Sequence, residues 1–315
     1  MKIIKHSDIE ALKIPALQYV EWVEQALMIQ YECQVPAKIS VHLTDDGFFN
    51  TMPCLIPSER AMGVKVVNRY KHNSPSIDGT IMLYNSVDGE LRALMDGTLI
   101  TAMRTGAVAA TSVKYLKNTR SANKVSMMGL GVTARATMMC LLESMPEAFF
   151  DVKLLRYKEQ AELFAERFAA YENVKFTIVD SAEDLIVGAE VIISCITSAS
   201  GLIGRDEWFG EGVLLVPVHT RGFQNCDLFF DKVFGDVTEQ ICHFGHFDKF
   251  RYFDEFAKVV QGKILGRDSD NQRILVYNIG QALHDIFVAN KIMDMVARSN
   301  PCDIAFKEPV EKFYI

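Results

Sequence analysis

The stretch Val125-Ser-Met-Met-Gly-Leu-Gly-Val-Thr-Ala-Arg-Ala136 sets Gly129, Gly131 and Ala134 in the pattern G-x-G-x-x-A. In such a pattern the first glycine permits a tight turn and the second leaves room for a pyrophosphate. The small third residue lets a following helix pack on the preceding strand. The helix N-terminus then offers unpaired N–H groups to the phosphates. Alone, these glycines are an ordinary turn; between the apolar strand VSMM and a helix, they have the context of a dinucleotide loop. A second feature is Arg104, the single charge within LITAMRTGAVAA. A helix apolar all round is buried, and a guanidinium inside it needs an anion, either an internal carboxylate or that of a ligand. Third, His219 and Arg221 sit at the C-terminal end of a strand, where doubly wound sheets place ligands. A histidine there either exchanges a proton near neutral pH or simply bonds to backbone. Finally, Cys242-His243-x-x-His246 puts ligand-type side chains on one helical face. No fourth ligand follows at a suitable spacing, and Phe244 and Phe247 point to packing, so no metal is expected.

The elements that must hold these groups can be read from periodicity. From Lys124 the chain alternates: strand 124–128, helix 132–144, strand 152–156, helix 159–171, strand 174–179, helix 182–187, strand 190–196, then strands 213–218 and 229–235. That alternation predicts a Rossmann-type, doubly wound parallel sheet. Before it, Met1–Lys5 reads as a strand, Ser7 and Glu10 as a capping box, and Pro15 as the start of a helix. The runs 39–43, 48–52, 63–68, 80–84 and 91–95 are rich in β-formers, with turns at Asp45-Asp-Gly47 and Asp88-Gly89. Asp96 caps a helix from Thr98 to about Lys117, and the polar run Asn118–Asn123 is the junction. Ile274–Met293 reads as one long helix returning to the first domain. The expected domains are therefore an N-terminal α+β domain, 1–118, a dinucleotide-binding domain, 119–280, and a C-terminal helical segment, 281–315.

A chain of 315 residues can bury two cores. Its net charge of −7 and scattered Lys/Arg argue against nucleic acid or an anionic membrane as partner. No apolar run is long enough to span a bilayer, and Lys2, Lys5, His6, Asp8 and Glu10 are too polar for a signal-peptide core. Seven scattered cysteines without C-x-x-C fit reduced thiols and a cytoplasmic location.

Four segments resemble the ornithine cyclodeaminase/μ-crystallin family: MPCLIPSERAMGVKVVN (52–68), LMDGTLITAMRTGAVAATSVKYL (94–116), VSMMGLGVTARA (125–136) and GRDSDNQRILVYNIGQALHD (266–285). The resemblance implies a homodimer with an N-terminal substrate and dimerisation domain beside an NAD(P) domain. By position, Lys65 and Arg104 match the family's carboxylate-binding lysine and arginine, and Lys38 falls near another cation used for the same carboxylate. From composition alone, Lys65 is a strand lysine with a solvated head. Ser76 falls where members carry a threonine next to the cofactor, and Asn278 matches a small polar residue near the nicotinamide. Further cofactor contacts are expected at Arg104, Thr105, Val132, Thr133, Lys158, Thr197 and His219. The implied activity is hydride transfer at a C–N bond of an imino or N-substituted α-amino acid. Lys65, His219 and Asp227 are the catalytic candidates.

Two departures qualify the resemblance. Cyclodeaminases carry N-A-x-G-G-D-x-P-G-K-T-E after a strand, with its aspartate as acid/base; here the stretch is Pro217-Val-His-Thr-Arg-Gly-Phe-Gln-Asn-Cys-Asp-Leu228. Gly222 takes the aspartate position and Cys226 the lysine position, which argues against the lyase. Second, LLRYK (154–158) has Leu155 and Arg156 where an NAD site wants a carboxylate, so NADP(H) is favoured, with NAD(H) possible. The remaining alternative is a non-catalytic, NADP-binding protein of crystallin type.

Overall fold

The computed structural model describes residues 1–44, 47–73, 75–296 and 302–303. By contacts the chain forms two units: Met1–Lys13, Glu32–Ile100 and Asp285–Ile315 make the first, and Ile14–Tyr31 with Thr101–His284 the second.

Alternating burial builds the first unit. Its strands are β1 (Lys2–Ile4), β2 (Ile39–His42), β3 (Phe48–Ile56), β4 (Ala61–Arg69), β5 (Ile77–Asn85) and β6 (Leu91–Asp96). They pair in the order Cys302–Asp303, β1, β6, β5, β4, β3, β2. The β2–β6 ladder is antiparallel throughout, and β1 joins β6 in parallel. In β4, Ala61, Gly63, Lys65 and Val67 point inward, against the helix Ala282–Val296: a Cβ on Gly63 would stand 2.8 Å from Ile286. The expected turn at Asp45-Asp46-Gly47 lies partly outside the described residues. The first helix, His6–Glu10, has Lys5 as its N-cap, two residues earlier than the expected Ser7. The Lys5 N–H donates to Asp8 Oδ2 at 2.8 Å, so Asp8, not Glu10, closes the cap.

The second unit is an eight-stranded parallel sheet. Its strands are β7 (Lys124–Met128), β8 (Phe150–Leu155), β9 (Val174–Val179), β10 (Val191–Ser194), β11 (Leu214–Pro217), β12 (Lys232–Gly235), β13 (Phe253–Glu255) and β14 (Ile274–Tyr277). The order is β13-β12-β14-β11-β10-β7-β8-β9. Strand order reverses between β7 and β10, which makes that crevice the topological switch point. The central strands β10, β11, β12 and β14 are buried along their whole length, as a parallel sheet covered on both faces requires.

Here the single helix expected over Ile274–Met293 is corrected. Ile274–Tyr277 is a strand inserted between β11 and β12, and a turn at Gly280 precedes the helix Ala282–Val296. A four-residue apolar run buried on both faces has no periodicity to separate strand from helix. The residues of the expected segment 281–315 beyond Val296, apart from 302–303, lie outside the described residues.

Candidate active site

Gly129 leaves β7 with φ +73°, and a Cβ there would stand 2.4 Å from the backbone of Cys195 and Ile196 just past β10. Any side chain would collide with backbone, so the crossing of the switch point needs glycine. Gly131 is the N-cap of the helix Val132–Ser144, and a Cβ on it would meet nothing within 4 Å. An open space in front of the first N–H groups of a helix suits a diphosphate. Gly129, Gly131, Val132 and Thr133 are the residues that would hold it, and the fit to a dinucleotide is good.

Arg156 and Lys158 follow β8, and Thr197 follows β10; all three are exposed. Arg156 Nε donates to Asp180 Oδ1 at 2.7 Å, and its Nη1 bonds Glu162. Lys158 lies 5.5 Å from the Tyr157 ring centre. Thr105 Oγ1 donates to the Thr101 carbonyl at 2.6 Å.

His219 follows β11. Its Nδ1 accepts the Arg221 N–H at 3.1 Å, so the ring proton sits on Nε2 and is donated to Ser194 Oγ, 2.7 Å away. Burial, then the charge of Arg221, lowers its pKa from 6.5 to about 4. The imidazole is thus neutral at pH 7 and poorly suited to deliver a proton there. Asn278 follows β14. Its N–H donates to the Pro217 carbonyl at 3.1 Å, and its Nδ2 donates to Ser112 Oγ at 3.1 Å.

Asp227 lies in the short helical turn Cys226–Leu228. It is buried, accepts the Tyr277 hydroxyl at 2.7 Å, and has His246 Nδ1 at 3.7 Å. Burial raises its pKa from 3.8 to about 6 against the opposing pull of Tyr277 and His246. His246 also bonds the Gln224 carbonyl at 3.0 Å, and among the described residues no group of three or more His, Cys, Asp or Glu is placed to hold a metal.

Arg104 is buried in the helix Thr98–Leu116. Gly280, with φ +88°, packs on its guanidinium: a Cβ there would stand 3.1 Å from Nη1. The Gly280 N–H is fixed by Asp236 Oδ2 at 2.7 Å.

In the first unit, Lys38 precedes β2 and is half-buried, and Ser76 closes the β4–β5 hairpin by accepting the Tyr70 N–H at 3.0 Å. Lys65 is not solvated. It is 1% exposed and its Nζ lies 2.6 Å from Oδ2 of Asp285, whose side chain is 0% exposed. Sequence reasoning missed Asp285 as a site residue, although it is the closing aspartate of G-x-A-x-x-D. Ser194, the partner of His219, gave no signal at all.

A profile of the Ornithine cyclodeaminase/mu-crystallin family matches residues 2–300. Nodulation efficiency protein NfeD of Rhizobium meliloti is 27% identical over 273 residues, 82% of this chain and 83% of that protein. Ketimine reductase mu-crystallin of Macropus fuliginosus is 28% identical over 270 residues, 79% of this chain and 80% of that one. Among solved structures, Thermococcus litoralis Delta(1)-pyrroline-2-carboxylate reductase in complex with NADH and L-proline has a TM-score of 0.85 at 25% identity, covering 96% of this chain and 100% of that chain.

Proposed function

This chain belongs to the ornithine cyclodeaminase/mu-crystallin family, and we propose that within it the protein is an NAD(P)-dependent oxidoreductase acting at the C–N bond of an imino acid or N-substituted α-amino acid. The observation that carries this reading over the lyase is Gly222, which stands where cyclodeaminases have their aspartate. It has φ +86°, and a Cβ there would fall 2.5 Å from Ile203 Cδ1. The loop is therefore built around the absence of a side chain, and Cys226, at the lysine position, is buried. The relatives named as reductases agree with this reading.

The bound nicotinamide would supply or accept the hydride. The chain's own residues do the rest. Arg104, and with it Lys38, holds the substrate carboxylate through charge-assisted hydrogen bonds, and Lys65 acts at the substrate. His219 donates to Ser194 and so orients a hydroxyl at the end of β10. NADPH is favoured over NADH because Leu155 stands where an acidic ribose ligand would be, while Arg156 is exposed beside it. Exposed ion pairs contribute little, so Arg156 exchanges Asp180 and Glu162 for a 2′-phosphate. The buried thiols of Cys54, Cys140 and Cys226, kept protonated by burial, fit the cytoplasm, and no helix among the described residues is long and apolar enough to cross a membrane.

A homodimer completes the proposal. The edge strand β2 exposes Ile39 (66%) and Val41 (53%), an apolar edge that a second copy would cover. Light scattering at micromolar concentration should give twice the chain mass; a monomer would refute it.

The activity is tested by mixing the protein with NADPH or NADH and Δ1-pyrroline-2-carboxylate or a larger cyclic imino acid. Cofactor oxidation matched by one equivalent of amino acid is expected. Ammonia released from a diamino acid without net cofactor change would return the lyase, and tight NADPH binding without turnover would favour the crystallin-type protein.

A further inference from the structure

Arg221 is a cation that the reaction as described leaves without a task. It lies in the loop after β11 and is exposed, and among the described residues no carboxylate is paired with its guanidinium. Arg120, Arg156 and Arg251 of the same unit each meet an acidic side chain. An unpaired guanidinium on a surface is ordinary. Arg221 differs in that its backbone is held fast at the C-terminal end of the sheet, where a doubly wound fold places its ligands.

The Arg221 N–H donates to His219 Nδ1 at 3.1 Å. Beyond it, the Gly222 N–H donates to Gln224 Oε1 at 3.0 Å, and Gln224 Nε2 donates back to the Thr220 carbonyl at 2.6 Å. The Gly222 carbonyl accepts the Ile203 N–H at 2.8 Å. Phe223 is buried, its ring 6.2 Å from that of His219. These contacts fix the loop backbone and leave the guanidinium to meet solvent or a ligand.

The place of the loop decides which ligand. Strands β8 and β11 lie on opposite sides of β7. Arg156, the proposed reader of the 2′-phosphate, follows β8, so the nicotinamide half of the dinucleotide falls toward β10 and β11. Arg221 therefore borders the reacting end. Cyclodeaminases carry their acid/base aspartate at the next position, within reach of the reacting C–N bond. Here Gly222 removes that negative charge, and Arg221 adds a positive one to the same loop. The charge of Arg221 also helps to keep the His219 ring neutral, so the ring adds no charge of its own. A cationic group on the nitrogen side of a substrate, such as the second amine of a diamino acid, would be repelled, and an anionic one attracted. Since Arg104 serves the α-carboxylate, a monocarboxylic substrate leaves Arg221 unused.

We propose that Arg221 binds a second carboxylate on the nitrogen side of the substrate, so that the preferred substrate is a dicarboxylic imino acid or the matching N-carboxyalkyl amino acid. The inference rests on the reading that this protein reduces a C=N bond. The planar guanidinium offers parallel N–H donors to both oxygens of a carboxylate. No bond is made or broken at Arg221; it contributes affinity and orientation.

The test compares two imines of one ring, Δ1-piperideine-2-carboxylate and Δ1-piperideine-2,6-dicarboxylate, as substrates of the full-length protein with NADPH. Wild-type kcat/KM should be about tenfold or more higher for the dicarboxylate, the value of a charge-assisted hydrogen-bonded pair. Arg221→Gln should lower the ratio of the two kcat/KM values by about ten- to hundredfold, mainly through KM for the dicarboxylate. Arg221→Lys, which keeps the charge without the fork, should fall between. NADPH titrations should give the wild-type Kd for both variants. An unchanged ratio in Arg221→Gln, or a wild type that reduces the monocarboxylate at least as well, overturns the inference alone. Weakened NADPH binding with an unchanged ratio would assign Arg221 to the cofactor and overturn it equally. Reduction of neither imine by the wild type overturns the reading beneath it as well.

Discussion

Two cations in this chain are held by carboxylates in opposite surroundings. In the first unit Lys65 and Asp285 are sealed from water. In the second, Arg156 meets Asp180 and Glu162 on an open surface, with its side chain 45% exposed. The chemistry of pairing is the same, but its consequence is not. A buried pair has lost its hydration, so neither partner can leave without stranding the other. An exposed pair exchanges freely with water, salt or an incoming anion. Exchangeability suits a residue that must recognise a phosphate; permanence suits one that ties a strand to a helix.

The contrast is broken most forcefully by removing one partner. Lys65→Met leaves the Asp285 carboxylate buried without its ammonium and should cost about 3–5 kcal/mol of folding stability. Adding Asp285→Leu should recover most of that, since an apolar replacement of similar size is often neutral. If Lys65→Met melts like the wild type, the pair is not buried as described.

Arg104→Met extends the comparison to a cation whose partner is proposed to be a ligand. Turnover or ligand affinity should fall by about 2–5 kcal/mol at temperatures well below the melting temperature of the ligand-free variant. A large fall in that melting temperature would identify the partner as a structural carboxylate instead.

At the exposed site, Arg156→Ala should weaken NADPH binding by about ten- to hundredfold, the value of charge-assisted hydrogen bonds to a phosphate. NADH binding and the melting temperature should stay unchanged. Equal losses for both cofactors would show that Arg156 does not read the 2′-phosphate.

How much of this was visible beforehand depended on whether a feature was local. The glycine loop was legible because Gly129, Gly131 and the strand before them are contiguous, and steric need at Gly129 is written in its residue type. Gly222 was equally readable, as a missing aspartate. The environment of Lys65 was not. In β4 the outward positions Met62, Val64 and Val66 are more apolar than the inward Ala61, Gly63 and Lys65, so alternation points to the wrong face. Register with β3 and β5 and the cover of Ile286 decide the matter, and both come from distant segments. Strand β14 escaped for a related reason: four apolar residues become a strand only because β11 and β12 leave a gap for them.

The smallest effect expected concerns His219, which is intermediate between the two extremes. Its pKa falls from 6.5 to about 4 on folding, so the native state favours the neutral ring. That contribution to stability is complete above pH 6.5 and is lost as pH falls through about 4. His219→Gln should therefore lose stability less steeply than the wild type across that window in urea melts. Identical slopes would mean that the ring is not held neutral by the fold.

The central claim, that this protein moves hydride at a C–N bond and is not a lyase, is tested most directly with NADPH deuterated at the transferable position of the nicotinamide. Incubated with a cyclic imino acid, the wild-type protein should yield an amino acid carrying one deuterium at Cα, with one equivalent of NADP formed. Product without deuterium, or ammonia released while the cofactor is unchanged at the end, would contradict the account.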